Sequence, residues 1–215
     1  MIMAALLPPI CCLCGYPGER RGLDLCGYCR RELPDRGGGP LACPSLFSRA
    51  LVPYVYDYPI DRFIRQLKFR GERQYARVLG LLLAQAHVAS GAPRPQLLIP
   101  VPLHQERYRS RGFNQAAEIA RFAAAELGTR VDDRCLVRVI ATKEQSGLPL
   151  EERMRNVRGA FQVRQRPKAR YIALVDDVLT TGNTMGEAGQ ALAAASPESL
   201  ELWAVAHVPD PGSRR

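Results

Sequence analysis

The sequence predicts an α/β protein: a mainly parallel sheet flanked by helices, with a small cysteine-rich module in front of it. Three observations point there. From about residue 51 onward, short apolar runs alternate with stretches of helical periodicity. Two of those runs, 97–101 (LLIPV) and 171–175 (YIALV), lack polar alternation and suit strands covered on both faces. Residues 1 to about 50 are instead dense in Cys, Gly, Pro and Arg and poor in periodic apolar positions. The expected division is 1–50 for the module and its linker and 51–215 for the larger domain.

The module carries Cys11-x-x-Cys14 and, eleven residues on, Cys26-x-x-Cys29, with Gly15 and Gly27 beside them to ease tight turns. Two closely spaced thiol pairs are what a tetrahedral zinc ion asks for. About 30 residues cannot build a core of their own, and ligation would supply the missing folding energy. Four thiolates leave no open position, so such a zinc is structural. Cys12 and Cys43 stand as alternative ligands, and Cys135 as a core filler. Four incidental reduced thiols are the plainer reading. The segment 35–40 (DRGGGP) reads as a linker.

The elements then follow in order. VPYVYDY alternates and suggests a strand. Helical spacing runs through Ile64 and Leu67, then through Val78, Leu81 and Leu82. LLIPV is a buried strand, and 102–111 is a loop after it. Asn114 caps a helix with the stripe Ala116, Ile119, Ala120, Ala123 and Leu127. YIALV is the second buried strand, 186–195 a helix, and 200–208 a last strand before a frayed tail.

Of the 215 residues, 47% are hydrophobic, enough for a core, and the net charge is +9. That surplus favours anionic partners: phosphates, pyrophosphate or nucleic acid. No apolar run approaches the ~18 residues that span a bilayer. The apolar start lacks a basic flank and holds two prolines, so it does not read as a signal peptide. The expected location is cytoplasmic, where seven cysteines do not form a disulfide framework.

The stretch 173–184 (ALVDDVLTTGNT) concentrates the chemistry. An apolar strand ends in Asp176 and Asp177, a Thr/Gly turn follows, and then a helix. Ligands of open α/β sheets sit beyond the carboxyl ends of strands, and a helix N-terminus cradles phosphate. Thr180, Thr181, Asn183 and Thr184 add polar donors, and Gly182 lets the backbone approach closely. Two acids would repel phosphate, so they should meet something else on the same ligand, such as ribose hydroxyls or Mg²⁺. A capping box, Thr184-x-x-Glu187, would explain two of these residues without a ligand. Neither G-x-x-x-x-G-K-[ST] nor G-x-G-x-x-G occurs. Asp132-Asp133, with no such turn behind it, reads as a simple turn.

The stretch resembles the phosphoribosyl pyrophosphate signature of type I phosphoribosyltransferases. The whole chain resembles the ComF family of competence-associated, phosphoribosyltransferase-like proteins. The four-cysteine knuckle, QLKFRG at 66–71, PVPL at 100–103, RGFNQ at 111–115 and the segment 145–161 carry the likeness. The resemblance implies a Rossmann-like phosphoribosyltransferase fold. It implies Asp176 and Asp177 on the ribose hydroxyls, directly or through Mg²⁺, and residues 180–184 on the 5-phosphate. It places the loop from Pro102 to Arg111 on pyrophosphate and 143–158 as a loop closing over the site. It also raises Lys68.

Arg107, Arg109 and Arg111, three arginines within five residues, suit pyrophosphate oxygens; a solvated turn is the alternative. The segment 151–170 holds seven more basic residues: Arg153, Arg155, Arg158, Arg164, Arg166, Lys168 and Arg170. A lid over a pyrophosphate, a patch for single-stranded DNA and a solvated face all fit it, though aromatic stacking partners are sparse. Two functions follow as expectations. One is binding of phosphoribosyl pyrophosphate with Mg²⁺, with transfer to an unidentified acceptor if it turns over and no side chain assigned as a nucleophile. The other is a non-catalytic accessory of DNA uptake that binds single-stranded DNA or an uptake protein. A homo-oligomer is left open.

Overall fold

The computed structural model describes residues 10–18, 23–37, 41, 43–141 and 158–209. Among these, the elements run α1 (Gly27–Arg31), β1 (Arg49–Leu51), β2 (Tyr54–Val55), α2 (Ile60–Arg70), α3 (Gln74–Ala89) and β3 (Leu97–Pro100). Then come α4 (Gln105–Arg111), α5 (Gln115–Leu127), β4 (Arg130–Val131), β5 (Leu136–Arg138) and β6 (Phe161–Val163). The last are β7 (Tyr171–Leu179), α6 (Asn183–Ala193) and β8 (Ser199–His207). The main sheet has the order β1-β8-β7-β3-β4, with β2 also on β8, and every pair in it is parallel. The mainly parallel α/β architecture is the expected one.

Both faces of that sheet are covered, which is why its central strands are continuously apolar. Leu98, Ala173, Val175, Trp203 and Val205 face a core built with α2, α3 and α5. Leu97, Ile99, Ile172, Leu174 and Leu202 face a second core with Phe47, α6 and the antiparallel hairpin β5–β6. The first core also takes Cys11, Leu23, Leu25, Cys29 and Leu33 from the cysteine module. The module thus shares its apolar interior with the domain.

Four elements differ from the expectation. Of the VPYVYDY run, 52–58, only Tyr54–Val55 is a strand, β2; Arg49–Leu51 ahead of the run forms β1, and Val52–Pro53 separates the two on β8, since Pro53 has no N–H to give a ladder. Residues 105–111 form a helix, capped by the His104 side chain, where the sequence suggests a loop. Helix α6 starts at Asn183 rather than 186. Strand β7 does not end at the two acids but continues to Leu179, because β8 stays alongside as far as Leu179↔His207.

On its other side β7 loses its partner earlier. Pairing with β3 ends at Val175↔Pro100, and one further bond runs from Val101 N–H to Val175 O (2.8 Å). From Asp176 onward that edge of β7 borders a crevice. The chain leaves β3 toward β4 on one side and leaves β7 toward β8 on the other, so the crevice lies where the strand order reverses. Open α/β sheets bind their ligands at such a switch point.

Candidate functional site

A cleft of about 460 Å³ opens at this position. Its floor is Asp176 to Leu179. One wall is the turn into α6, with Thr180, Gly182 and Thr184. The opposite wall is Val101 to Leu103 with Arg107 and Arg111 of α4. Lys68, Gln115, Arg138, Tyr56 and Phe69 close it.

Local sequence explains each wall. Gly182 sits at φ 76°, a left-handed conformation costly for a residue with a Cβ, and so allows the sharp turn out of β7. It starts α6, and no side chain caps that helix. Gly182 rather than Thr184 is the N-cap, and Glu187 accepts from Gly159 N–H at 2.9 Å. The N-terminus of α6 is left pointing at the cleft, an electropositive end suited to an anion. In α4, four-residue spacing puts Arg107 and Arg111 on the cleft side. Gly112, at φ 79°, ends that helix, and Asn114 then caps α5 through Ala116 N–H (3.0 Å) and Ala117 N–H (3.4 Å).

The two acids have unlike surroundings. Asp177 is 3% exposed and ion-paired to Lys68 of α2. Its other oxygen accepts from Gln115 Nε2 at 3.4 Å, and Gln115 Oε1 accepts from Arg111 Nη1 at 2.6 Å. Asp176 stays half-buried on the cleft, with one oxygen accepting from Asp177 N–H at 2.8 Å. Burial alone would push Asp177 up, but the Lys68 ammonium, Asp176 and Gln115 outweigh it and hold the carboxyl below its usual range. Burial and then the neighbouring Asp177 charge push Asp176 well above it. Lys68 loses to burial but gains more from Asp177, and ends above the ordinary lysine value. One acid is therefore paired within the protein, and the other faces the cleft.

Most of the expected site residues meet here. Asp176, Asp177, Thr180, Gly182, Thr184, Pro102, Arg107, Arg111 and Lys68 all line the cleft. Thr181, Asn183 and Arg109 are not among its lining residues, and Arg109 is exposed because it falls between the inward positions of α4. Asn183 is half-buried, with its Nδ2 lacking a hydrogen-bond partner. Of the basic segment 151–170, the described cations do not form one surface. Arg166 donates to Ala195 O (3.1 Å) and Arg170 pairs with Glu198 before β7 begins, at the end of the sheet away from the cleft. Arg164 instead borders a second cavity, of about 640 Å³, behind α4. The lid expected at 143–158 lies outside the described residues except for Arg158.

Gln115, Arg138, Tyr56 and Phe69 also line the cleft, and the sequence gives none of them a role. Gln115 is the last residue of the RGFNQ motif, which is its one visible signal. Arg138 sits on the short hairpin strand β5, which has no local signature.

Beside the first core, Cys11, Cys14, Cys26 and Cys29 place their sulfurs all within 4.8 Å of one another. Zinc–sulfur bonds of about 2.3 Å put tetrahedral sulfurs about 3.8 Å apart. The Cys14 and Cys26 sulfurs are at 3.6 Å. Cys26 also caps α1, accepting from Cys29 N–H at 3.4 Å. The four thiols are thus placed to hold one metal ion such as zinc. Cys12 and Cys43 fall outside the group. Cys12 packs against the first core, where burial pushes its thiol up to about 12, and Cys43 packs against the second. No helix among the described residues is long and apolar enough to cross a membrane.

No protein-family model matches the chain. Individual relatives do. It is 30% identical over 218 residues to the DNA utilization protein YhgH of Salmonella typhi, covering 92% of this chain and 96% of that one. It is 31% identical to YhgH of Escherichia coli O6:H1, covering 90% and 82%. Competence protein F of Haemophilus influenzae is 29% identical, with 89% and 88% covered. Among solved structures, TT1426 from Thermus thermophilus is 20% identical with a TM-score of 0.39, over 65% of this chain and 86% of that one. A purine phosphoribosyltransferase from Pyrococcus horikoshii is 12% identical with a TM-score of 0.34, over 61% and 80%. Matched along nearly its whole length to the DNA utilization and competence proteins, the chain belongs to the ComF family.

Proposed function

We propose that the cleft binds phosphoribosyl pyrophosphate together with Mg²⁺. The observation that carries this is the juxtaposition at the switch point. An uncapped helix N-terminus stands on one side, two arginines on the other, and the half-buried Asp176 carboxylate between them. In this reading the turn from Thr180 to Thr184 takes the 5-phosphate. Asp176 and Asp177 take the ribose hydroxyls, with Asp176 the better placed for the cation. Arg107 and Arg111 take the pyrophosphate. Mg²⁺ would neutralise phosphate charge, and oxygen donors such as Asp176 suit it. If the ligand is turned over, an acceptor displaces pyrophosphate from C1, and the chain contributes by positioning and by stabilising the leaving group's charge. Zinc on Cys11, Cys14, Cys26 and Cys29 belongs to the same proposal as a structural ion, with 1–50 and 51–215 as the two parts of the chain.

Calorimetry with phosphoribosyl pyrophosphate and Mg²⁺ tests it, on the wild type and on Asp176→Asn/Asp177→Asn. Wild-type binding that the double variant loses is the expected result. Equal binding by both would sink the assignment.

A second reading draws on the cavity behind α4. Tyr108, 52% exposed, lines it together with Arg73, Arg138 and Arg164, and with Arg121, which is paired to Glu118 and Asp133. This supplies an aromatic platform among cations, the combination that single-stranded nucleic acid stacks on. The names of the relatives favour it. Salt-titrated binding of single-stranded DNA to the wild type and Tyr108→Ala tests it. The expectation is affinity that falls with salt and a several-fold loss in the variant. A weak response indifferent to salt and to Tyr108 would refute it.

A further inference from the structure

We propose that Gln115 is a positioning residue that couples the two halves of the cleft, so that pyrophosphate held by α4 orders the acids for ribose. This rests on the phosphoribosyl reading above and deepens it. Four side chains from four elements form one chain of contacts: Arg111 of α4, Gln115 of α5, Asp177 of β7 and Lys68 of α2. Gln115 is one of its two middle members and is 5% exposed.

Glutamine is suited to that place for a specific reason. Its amide carries an acceptor and a donor at fixed separation. The oxygen takes the Arg111 guanidinium at 2.6 Å, and the nitrogen gives to Asp177 at 3.4 Å. A carboxylate there would repel Asp177, and an apolar chain would join neither. The two bonds are unequal. The Arg111 bond is short, and the Asp177 bond is at the long limit of a hydrogen bond. An anion on the cleft side of α4 would fix the Arg111 guanidinium, and with it the amide plane. A fixed amide shortens the contact to Asp177, and Asp177 N–H in turn holds the Asp176 carboxylate at 2.8 Å. Pyrophosphate and ribose 5-phosphate should then each tighten the other's binding.

The experiment measures that coupling with ribose 5-phosphate and pyrophosphate as separate probes, in Mg²⁺, by calorimetry. Each is titrated alone and in the presence of the other, on the wild type and on Gln115→Met. Methionine keeps the length and flexibility and removes both bonds. The expected wild-type result is a mutual tightening of about tenfold. In Gln115→Met each probe's affinity, whatever it is alone, is the same with and without the other probe. A thermal melt identifies a variant that fails to fold. Gln115→Asn, too short to reach both partners, then carries the test. Equal coupling in wild type and variant, or no coupling in the wild type, would overturn the role of Gln115. A wild type that binds phosphoribosyl pyrophosphate and yet shows no coupling would leave the ligand assignment standing. A wild type that binds none of the three probes would overturn both.

Discussion

Asp176 and Asp177 are adjacent in sequence and opposite in energetics. Asp177 is depressed, so its stabilisation is present above the usual carboxylate range and is lost as pH falls through its lower folded value. Asp176 is raised, so carrying its charge costs stability, and that cost shrinks as pH falls below its raised value toward the usual carboxylate range. The two Asn substitutions should therefore move stability in opposite directions in Mg²⁺-free protein. Asp177→Asn leaves the half-buried Lys68 ammonium without its ion-pair partner and should cost about 1–3 kcal/mol. Asp176→Asn should stabilise by about 1 kcal/mol, as expected where a binding site stores unfavourable charge. Denaturant melts at neutral pH check both, and a loss of similar size in each would contradict the asymmetry. The sequence shows the pair but not this division of roles. Nothing local distinguishes two consecutive aspartates. What separates them is strand alternation, which turns Asp177 toward Lys68 and α5 and leaves Asp176 on the cleft. The partners lie 109 and 62 residues away in the chain, at Lys68 and Gln115.

Elements are legible where their pattern is local. The stripe of α5 and the Asn114 cap, the helices α2 and α3, and the two buried strands all follow from spacing within one window. What escapes depends on something distant. The seven-residue α4 buries no residue, so it has no apolar stripe to read. The strands β5 and β6 gain their meaning from each other across residues 139–160. The span of β7 beyond Val175 is set by the length of β8 rather than by its own composition. Helix α3 illustrates the same point at Gly80. By propensity an alanine there would favour the helix by about 1 kcal/mol. A Cβ at that position would instead stand 2.6 Å from Ile119 O and 2.7 Å from the Phe122 Cβ of α5. Backbone cannot give way as a flexible side chain can, and the steric cost of about 1–3 kcal/mol exceeds the gain. Gly80→Ala should lower Tm by several degrees, at about 2–4 °C per kcal/mol for a chain of this size. An unchanged or higher Tm would show that α3 and α5 separate freely.

At the scale of the molecule, the cysteine module and the ligand cleft sit on one continuous core. Leu23, Leu25 and Leu33 of the module pack in the same cluster as Ile60, Phe63, Ile64 and Leu67 of α2, and the next residue along α2 is Lys68. The sequence suggests a module and a domain side by side, because the paired cysteines and the Gly-rich linker read as a separate unit. It does not show that their apolar residues are shared, since that is a matter of packing between segments far apart. The shared core ties the proposed zinc to the proposed ligand. Without the ion, four thiols lose the constraint that holds Leu23 and Leu25 between the two Cys-x-x-Cys turns. Helix α2 then loses part of its packing, and Lys68 loses its fixed approach to Asp177. Purified protein should contain about one zinc per chain, absent from Cys26→Ser/Cys29→Ser. Removing it with a chelator should lower the Tm of a single cooperative transition by about 5 °C or more. The zinc-free protein, freed of chelator and returned to Mg²⁺, should bind phosphoribosyl pyrophosphate more weakly, although the cysteines line no part of the cleft. A separate low-temperature transition with ligand binding intact would mean that the module is an independent appendage. One transition, with ligand affinity and zinc lost together, is what a common core requires.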